Sequence, residues 1–382
     1  MAILGVLAGL AMIFLVLLEG FEAMIWPRRV LRPYRVTRLF YRTSWMFWRA
    51  LARWIPVGKR RETFLSVFGP FSMLSLFATW VFGLIIGFAL LHWSLGTSLH
   101  VQQDEPGIGF GTYLYLSGVT FFTLGYGEIT AADRLGRALT VGEAGLGFGF
   151  LAVIIGYLPV LYQAFSRREV TISLLDARAG SPPSAAQALL RIAQAHDLAI
   201  LDPFLAEWER WAAEVLESHL SFPVLSYYRS QHDNQSWLAA MTAVLDTCAI
   251  LISGVKGACP YQAQLTFAMA RHAVVDLAMV FHTPPVPPDP DRLPAERLQQ
   301  IRELLSAAGF APREGPAFET KLVELRAMYE PFVNALGQFL LFNLPPVLSD
   351  KATVDNWQTS AWTRRVAGIG NLPLLEGDEH FD

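Results

Sequence analysis

The sequence predicts an all-α membrane protein with a helical domain attached. Three observations carry this. Of 382 residues, 53% are hydrophobic and only 16% are charged, against roughly 25% charged in soluble domains. Three apolar segments, all within the first 165 residues, are long enough to cross a bilayer. Residues 170–382 carry helical periodicity without a regular alternation of strand and helix.

The first span is Ala2 to Ile25, interrupted only by Glu19 and Glu22. About 20 apolar residues suffice to cross the hydrocarbon core. A signal peptide would need a basic start and a small-residue cleavage site, and this segment has neither. It is therefore read as a retained helix, residues 1–26. Glu19 and Glu22 share a face near its end and are expected to pair with nearby arginines.

Residues 27–62 form a basic segment. Eleven Arg and Lys lie between Arg28 and Arg61. Tryptophans and leucines interleave them, which argues against a nucleic-acid arm. Arg29, Arg32, Arg35 and Arg38 recur every third residue, as in a voltage-sensing helix. Pro33 interrupts the run and only one span precedes it, so that reading is set aside. Arg35, Arg38, Arg42, Arg49 and Arg53 fall on one helical face. Val36, Leu39, Phe40, Phe47, Leu51 and Trp54 supply apolar surface elsewhere. The expectation is an amphipathic helix on a membrane surface. Its cations would face anionic lipid head groups, each worth about 1 kcal/mol near the surface.

The second span runs from about Phe71 to Trp93 and the third from about Ala138 to Phe165. The positive-inside rule keeps the Arg28–Arg61 loop in the cytoplasm and the N terminus outside. Residues 94–137, with Asp104 and Glu105, then face outside. The third span returns inward to Arg167 and Arg168, which leaves the C-terminal domain cytoplasmic in a multi-pass cell-membrane protein.

Between these spans, Phe110 to Phe122 is apolar but only thirteen residues long. That is too short to cross as a helix. It can enter and turn back only if its irregular continuation lines water or protein instead of lipid. That continuation reads Thr123-Leu124-Gly125-Tyr126-Gly127. Glycine tolerates backbone angles closed to other residues. Two glycines in alternation let successive carbonyls point toward one axis. Four copies would then stack rings of oxygens, with the Thr123 hydroxyl innermost. The short helix aims its negative C-terminal end at the cavity below, which favours a cation there.

This stretch is similar to the potassium-channel filter TVGYG, with Leu124 in place of valine. Residues 63–168 resemble the pore module of two-helix potassium channels: outer helix, re-entrant pore helix and filter, inner helix. Glu128 follows the filter where the family usually has Asp. Gly136-Arg137 opens the inner helix as in many relatives, and Gly147 falls where a hinge glycine often stands. The resemblance implies a homotetramer that conducts potassium passively. It implies potassium-binding carbonyls at Thr123, Leu124, Gly125 and Tyr126, and no cofactor beyond the permeant ion. Glu128 and Glu143 are expected to support the filter. Gly147 and Pro159 are expected to give the gate its flexibility, proline because it removes a backbone hydrogen bond. Close packing of small residues is the equal alternative for Gly145 and Gly149, and for Gly83 and Gly87 on the outer helix. A non-conducting sensor or scaffold with the pore fold, and a subunit of a cation transporter, are the competing functions.

The tail, residues 169–382, has candidate helices at 184–196, 206–219, 236–255, 262–281, 294–308 and 318–342. A proline-rich linker, 283–294, separates the last two from the rest. The apolar run from Trp237 to Val255 is read as a buried core helix instead of a fourth span, because Asp246 would sit near mid-membrane. No GxGxxG follows a strand, so a dinucleotide-binding regulator is not supported. His196, His219, His232, His272 and His282 lack zinc spacing, and His272 is read as part of a polar face with Arg271 and Asp276. Cys248 and Cys259 are read as reduced, half-buried thiols. With no nucleophile elbow or phosphate loop, the chain is not read as an enzyme. A ligand or partner of the tail is not identified.

Overall fold

The computed structural model describes residues 2–26, 35–102, 108–195, 198–231, 235–255, 260–310, 313 and 315–349. The arginines at 28, 29 and 32, Pro33, Asp104, Glu105, His196, His232 and Cys259 lie outside the described residues. The chain divides into two compact units. One comprises Met1–Pro56 and Val67–Gln163, the other Val57–Ser66 and Ala164–Asp382. The short Val57–Ser66 segment thus groups with the tail.

The first unit holds α1 (Ala2–Met24), α2 (Val36–Ala52), most of α3 (Lys59–Leu95), α4 (Phe110–Phe121) and the first thirty residues of α5 (Arg134–Ala179). The helices α1, α3 and α5 are each long and apolar enough to cross a membrane. Small residues let α1 and α3 approach. A carbon added at Gly9 would lie 2.8 Å from the Gly87 carbonyl oxygen, and one at Gly83 2.9 Å from the Val16 side chain. Such close contact is how helices associate where lipid removes the hydrophobic drive.

Glu22 meets Arg35 at 3.5 Å. Glu19 does something the sequence reading missed. Its carboxylate accepts from the backbone N–H of Val36 (3.2 Å) and Thr37 (3.0 Å) and from the Thr37 hydroxyl (2.6 Å). It therefore satisfies orphan donors in the first turn of α2, where negative charge is favoured. Along α2, Trp45 and Trp48 pack on Phe68 of α3. Leu39, Met46, Phe47 and Trp54 stay exposed.

Two short strands were not anticipated: β1 (Leu99–Val101) and β2 (Ile129–Ala131) pair antiparallel, with His100 opposite Thr130. They tie the chain before α4 to the chain after the TLGYG stretch.

The second unit is helical: α6 (Ala185–Gln194), α7 (Leu201–Ser221), α8 (Trp237–Gly254), α9 (Tyr261–Val280), α10 (Ala295–Ala307), α11 (Pro316–Ala327) and α12 (Glu330–Leu340), with single turns of 3₁₀-helix at Leu198–Ile200 and Pro223–Tyr227. Ser184 and Ser236 cap α6 and α8, accepting from Gln187 N–H at 3.3 Å and Ala239 N–H at 3.0 Å. These are ordinary serine N-caps. Every residue of α8 from Trp237 to Leu251 is buried.

Two expectations need correcting, the helix over 318–342 and the burial of Cys248. The helix expected over 318–342 is two, broken at Met328–Tyr329. Pro331 sits in the first turn of α12, the position where a missing N–H costs nothing and where proline starts helices. The proline-rich segment 283–294 also packs on α12. Val286 N–H donates to the Pro331 carbonyl at 2.9 Å, and the Asn334 amide donates to the carbonyls of Val286 and Pro287. Cys248 is fully buried instead of half-buried, and burial pushes its thiol well above the usual range.

Arg292 of that segment enters the core. It bridges Asp246 of α8 at 2.7 Å and Glu330 of α12 at 3.0 Å, and donates to the Pro345 carbonyl at 2.7 Å. The Tyr329 hydroxyl donates to Asp246 at 2.5 Å. Burial alone would lower the Arg292 pKa, but the adjoining Asp246 and Glu330 hold it above its ordinary value. The lone acid of an apolar helix is thus neutralised inside the tail.

Candidate functional site

The site begins where α4 stops. The Thr123 N–H donates to the Thr120 carbonyl at 3.0 Å and the Leu124 N–H to the Val119 carbonyl at 2.9 Å. Those two bonds form a Schellman ending, which requires a left-handed residue just past the cap. Thr123 takes that conformation, at φ +54°. A β-branched residue there is an outlier, and such strain clusters at functional positions.

The left-handed backbone then recurs at alternate positions. Gly125 has φ +62° and Gly127 φ +81°, while Leu124 and Tyr126 between them are not in that region. Residues of alternating hand present successive amides on one side and successive carbonyls on the other. The glycines are needed here for φ alone, since an added carbon at either meets nothing within 4 Å. Leu124 and Tyr126 are 52% and 63% exposed in the single chain.

Neighbouring groups tie the chain after this stretch to the chain before α4. Asp133 caps α5, accepting from Gly136 N–H at 2.5 Å and also from Ser98 N–H at 2.6 Å. These backbone bonds hold its carboxyl below the usual range, the Gly136 bond first. The sequence offered this signal, an acid three residues before Gly136, and it went unread. The Tyr113 hydroxyl of α4 donates to the Thr97 carbonyl at 2.9 Å, and Thr97 in turn meets His92 at 3.0 Å. Glu128 stands with its carboxylate 3.5 Å from the Tyr115 hydroxyl. Its carbonyl accepts from Gln102 N–H at 3.0 Å, extending the β1–β2 pair.

Glu143 is fully buried in α5. It forms a short hydrogen bond with the Ser117 hydroxyl of α4, and Ser117 also lies 2.7 Å from the Ile85 carbonyl of α3. One serine therefore joins three helices. Gly147 lies where α5 packs against the last turn of α4. A carbon there would lie 2.6 Å from the Phe121 carbonyl oxygen, closer than real side chains come to backbone. Gly145 and Gly149 face open space in the same chain. Pro159 lies inside α5, and Pro70 inside α3.

Among the expected basic residues, Arg38, Arg42 and Arg53 are exposed, Arg35 is half-buried beside Glu22, and Arg49 is half-buried. In the tail, His272 stands 3.8 Å from Asp276, and His282 ends α9 with a left-handed backbone. No cluster of three metal-ligating side chains occurs among the described residues.

Residues 74–163 match the family model described as an ion channel. Protein LctB of Geobacillus stearothermophilus is 35% identical over 95 residues, which cover 22% of this chain and 70% of that protein. An uncharacterized membrane protein, YdjJ of Bacillus subtilis (strain 168), is 24% identical over 265 residues, 66% of this chain and 75% of that protein. No solved structure matches the chain. The chain belongs to the ion-channel family and is an all-α membrane protein.

Proposed function

We propose that this protein is a homotetrameric, potassium-selective channel whose filter is Thr123, Leu124, Gly125, Tyr126 and Gly127. The observation that carries the reading is the alternation of left-handed backbone at Thr123, Gly125 and Gly127, directly after a twelve-residue helix too short to span. Carbonyls aligned by that alternation can replace the hydration shell of a potassium ion when four chains surround one axis. Exposure of Leu124 and Tyr126 in the single chain supports neighbouring copies around the filter. Glu143 and Ser117 fix the pore helix. In this reading α2 lies on the inner leaflet, with Arg38, Arg42 and Arg53 toward anionic head groups. The N terminus is outside and the tail cytoplasmic.

The test is potassium flux from liposomes holding the full-length protein and a Gly125→Ala variant. Alanine at a left-handed position costs about 1–2 kcal/mol, and relief of that strain re-aims the carbonyls. Potassium flux is expected to fall at least a hundredfold in the variant. Equal flux from both proteins would remove the filter assignment. A verified tetramer that carries no flux, with or without its tail, would instead favour a scaffold.

A further inference from the structure

One short stretch of the tail unit holds the ends of two long helices. Arg168 of α5 is buried, with 3% exposure. Its guanidinium lies over the Phe165 ring at 5.1 Å and pairs with Glu169 at 2.8 Å. It donates to the carbonyls of Leu225 at 2.9 Å and Tyr228 at 3.1 Å. The next residue, Arg229, pairs with Glu62 of α3 at 3.3 Å. Arg229 also donates to the carbonyls of Leu340 (2.5 Å) and Leu341 (3.2 Å) at the end of α12, and lies 3.9 Å over the Phe342 ring. The stretch Leu225–Arg229 therefore clamps Glu62 of α3 and Arg168 of α5.

The clamp contains one group whose protonation would break it. His219 of α7 is fully buried. Its Nδ1 lies 2.7 Å from the Val215 carbonyl. A carbonyl only accepts, so Nδ1 carries the proton and Nε2 is left with a lone pair. Arg168 donates to that lone pair at 3.2 Å. The groups facing the ring are Arg168 from α5, the Ser218 hydroxyl at 3.2 Å from α7, and the Trp237 indole at 5.1 Å from α8. The carboxylate beside Arg168, Glu169, is already engaged by it. A proton on Nε2 would face the Arg168 N–H, donor against donor and cation against cation, in a buried site.

We propose that His219 makes this clamp acid-sensitive: on protonation it expels Arg168, and the Leu225–Arg229 stretch releases α5. Burial first, and the Arg168 charge second, hold His219 well below its ordinary pKa. The sign follows. The opened form binds a proton below about pH 6.5 and the closed form does not. Clamp stability is therefore full above that pH and is lost progressively as the pH falls below it.

The test is hydrogen–deuterium exchange on the full-length protein in nanodiscs at pH 7.5, 6.5 and 5.5, corrected for intrinsic exchange rates. Protection of peptides covering 165–172 and 219–229 is expected to fall by up to about tenfold between pH 7.5 and 5.5. Protection of α8 should hold. In His219→Gln the amide oxygen can still accept from Arg168 but cannot titrate, so the profile should be flat. Should that variant fail to fold, Arg168→Gln serves instead, and its acid-dependent loss should shrink. Unchanged protection in the wild type would overturn the proposal, as would a loss as large as the wild type's in either variant. The readout does not depend on ion flux, so it stands or falls apart from the channel reading.

Discussion

Replacing Gly147 by alanine is expected to cut conduction at least tenfold while leaving the chain inserted in the membrane. The added carbon would lie 2.6 Å from the Phe121 carbonyl oxygen and 3.0 Å from its ring. Phe121 is fully buried, so its ring has nowhere to swing. The obstruction is backbone in the last turn of α4, and relief requires α4 to move. Thr123 to Gly127 follow directly from that turn, so they move with it. Overpacking of this kind costs about 1–3 kcal/mol. The expected result is at least a tenfold loss of flux and a lower melting temperature for the detergent-solubilised protein. Gly149→Ala is the contrasting control, because its carbon meets nothing in the same chain. The glycine at 147 is thus explained by close approach, and any hinge motion there would be additional to it. Unaltered flux and melting in Gly147→Ala would mean that α4 and α5 are not packed as described.

The second large effect lies in the tail. Arg292→Leu should unfold it or come close. The change leaves Asp246 and Glu330, both buried, without the cation between them. Breaking a buried pair by removing one partner costs about 3–5 kcal/mol, a large share of the stability of a domain. Arg326, which also reaches Glu330 at 3.0 Å, does not reach Asp246 in this arrangement. The double variant Asp246→Asn, Arg292→Leu should recover part of the loss, because no unpaired charge then remains at α8. Chemical denaturation followed by tryptophan fluorescence reads this directly, since Trp208, Trp211 and Trp237 are buried in the same unit. A single variant as stable as the wild type would show that Arg292 is not buried between these acids.

What was legible in the sequence was chemistry written locally. Two glycines alternating after a thirteen-residue apolar run state their own backbone requirement, and the structure places φ +62° and φ +81° at those two residues. The long apolar helices α1, α3 and α5 were legible because bilayer thickness sets the length of an apolar run that can cross. What was not legible depends on partners far apart in the chain. Asp246 demanded a cation if its helix was buried, but nothing in the spacing pointed to Arg292, 46 residues on and hidden among prolines. His219 looked like any helical histidine until Arg168, 51 residues earlier, appeared at its Nε2. The β1–β2 pair, three residues a side, is too short for alternation to register. Glu19 was read as an arginine partner, and the structure adds its role at the start of α2, because a cap seventeen residues away leaves no motif.

The most direct measurement of the central claim is the reversal potential of the full-length protein in a planar bilayer, with potassium on one side and equimolar sodium on the other. A filter of stacked carbonyls predicts a reversal potential far from zero, with the sign of potassium leaving its own compartment. A reversal potential near zero, with current flowing, would contradict potassium selection by Thr123 to Gly127.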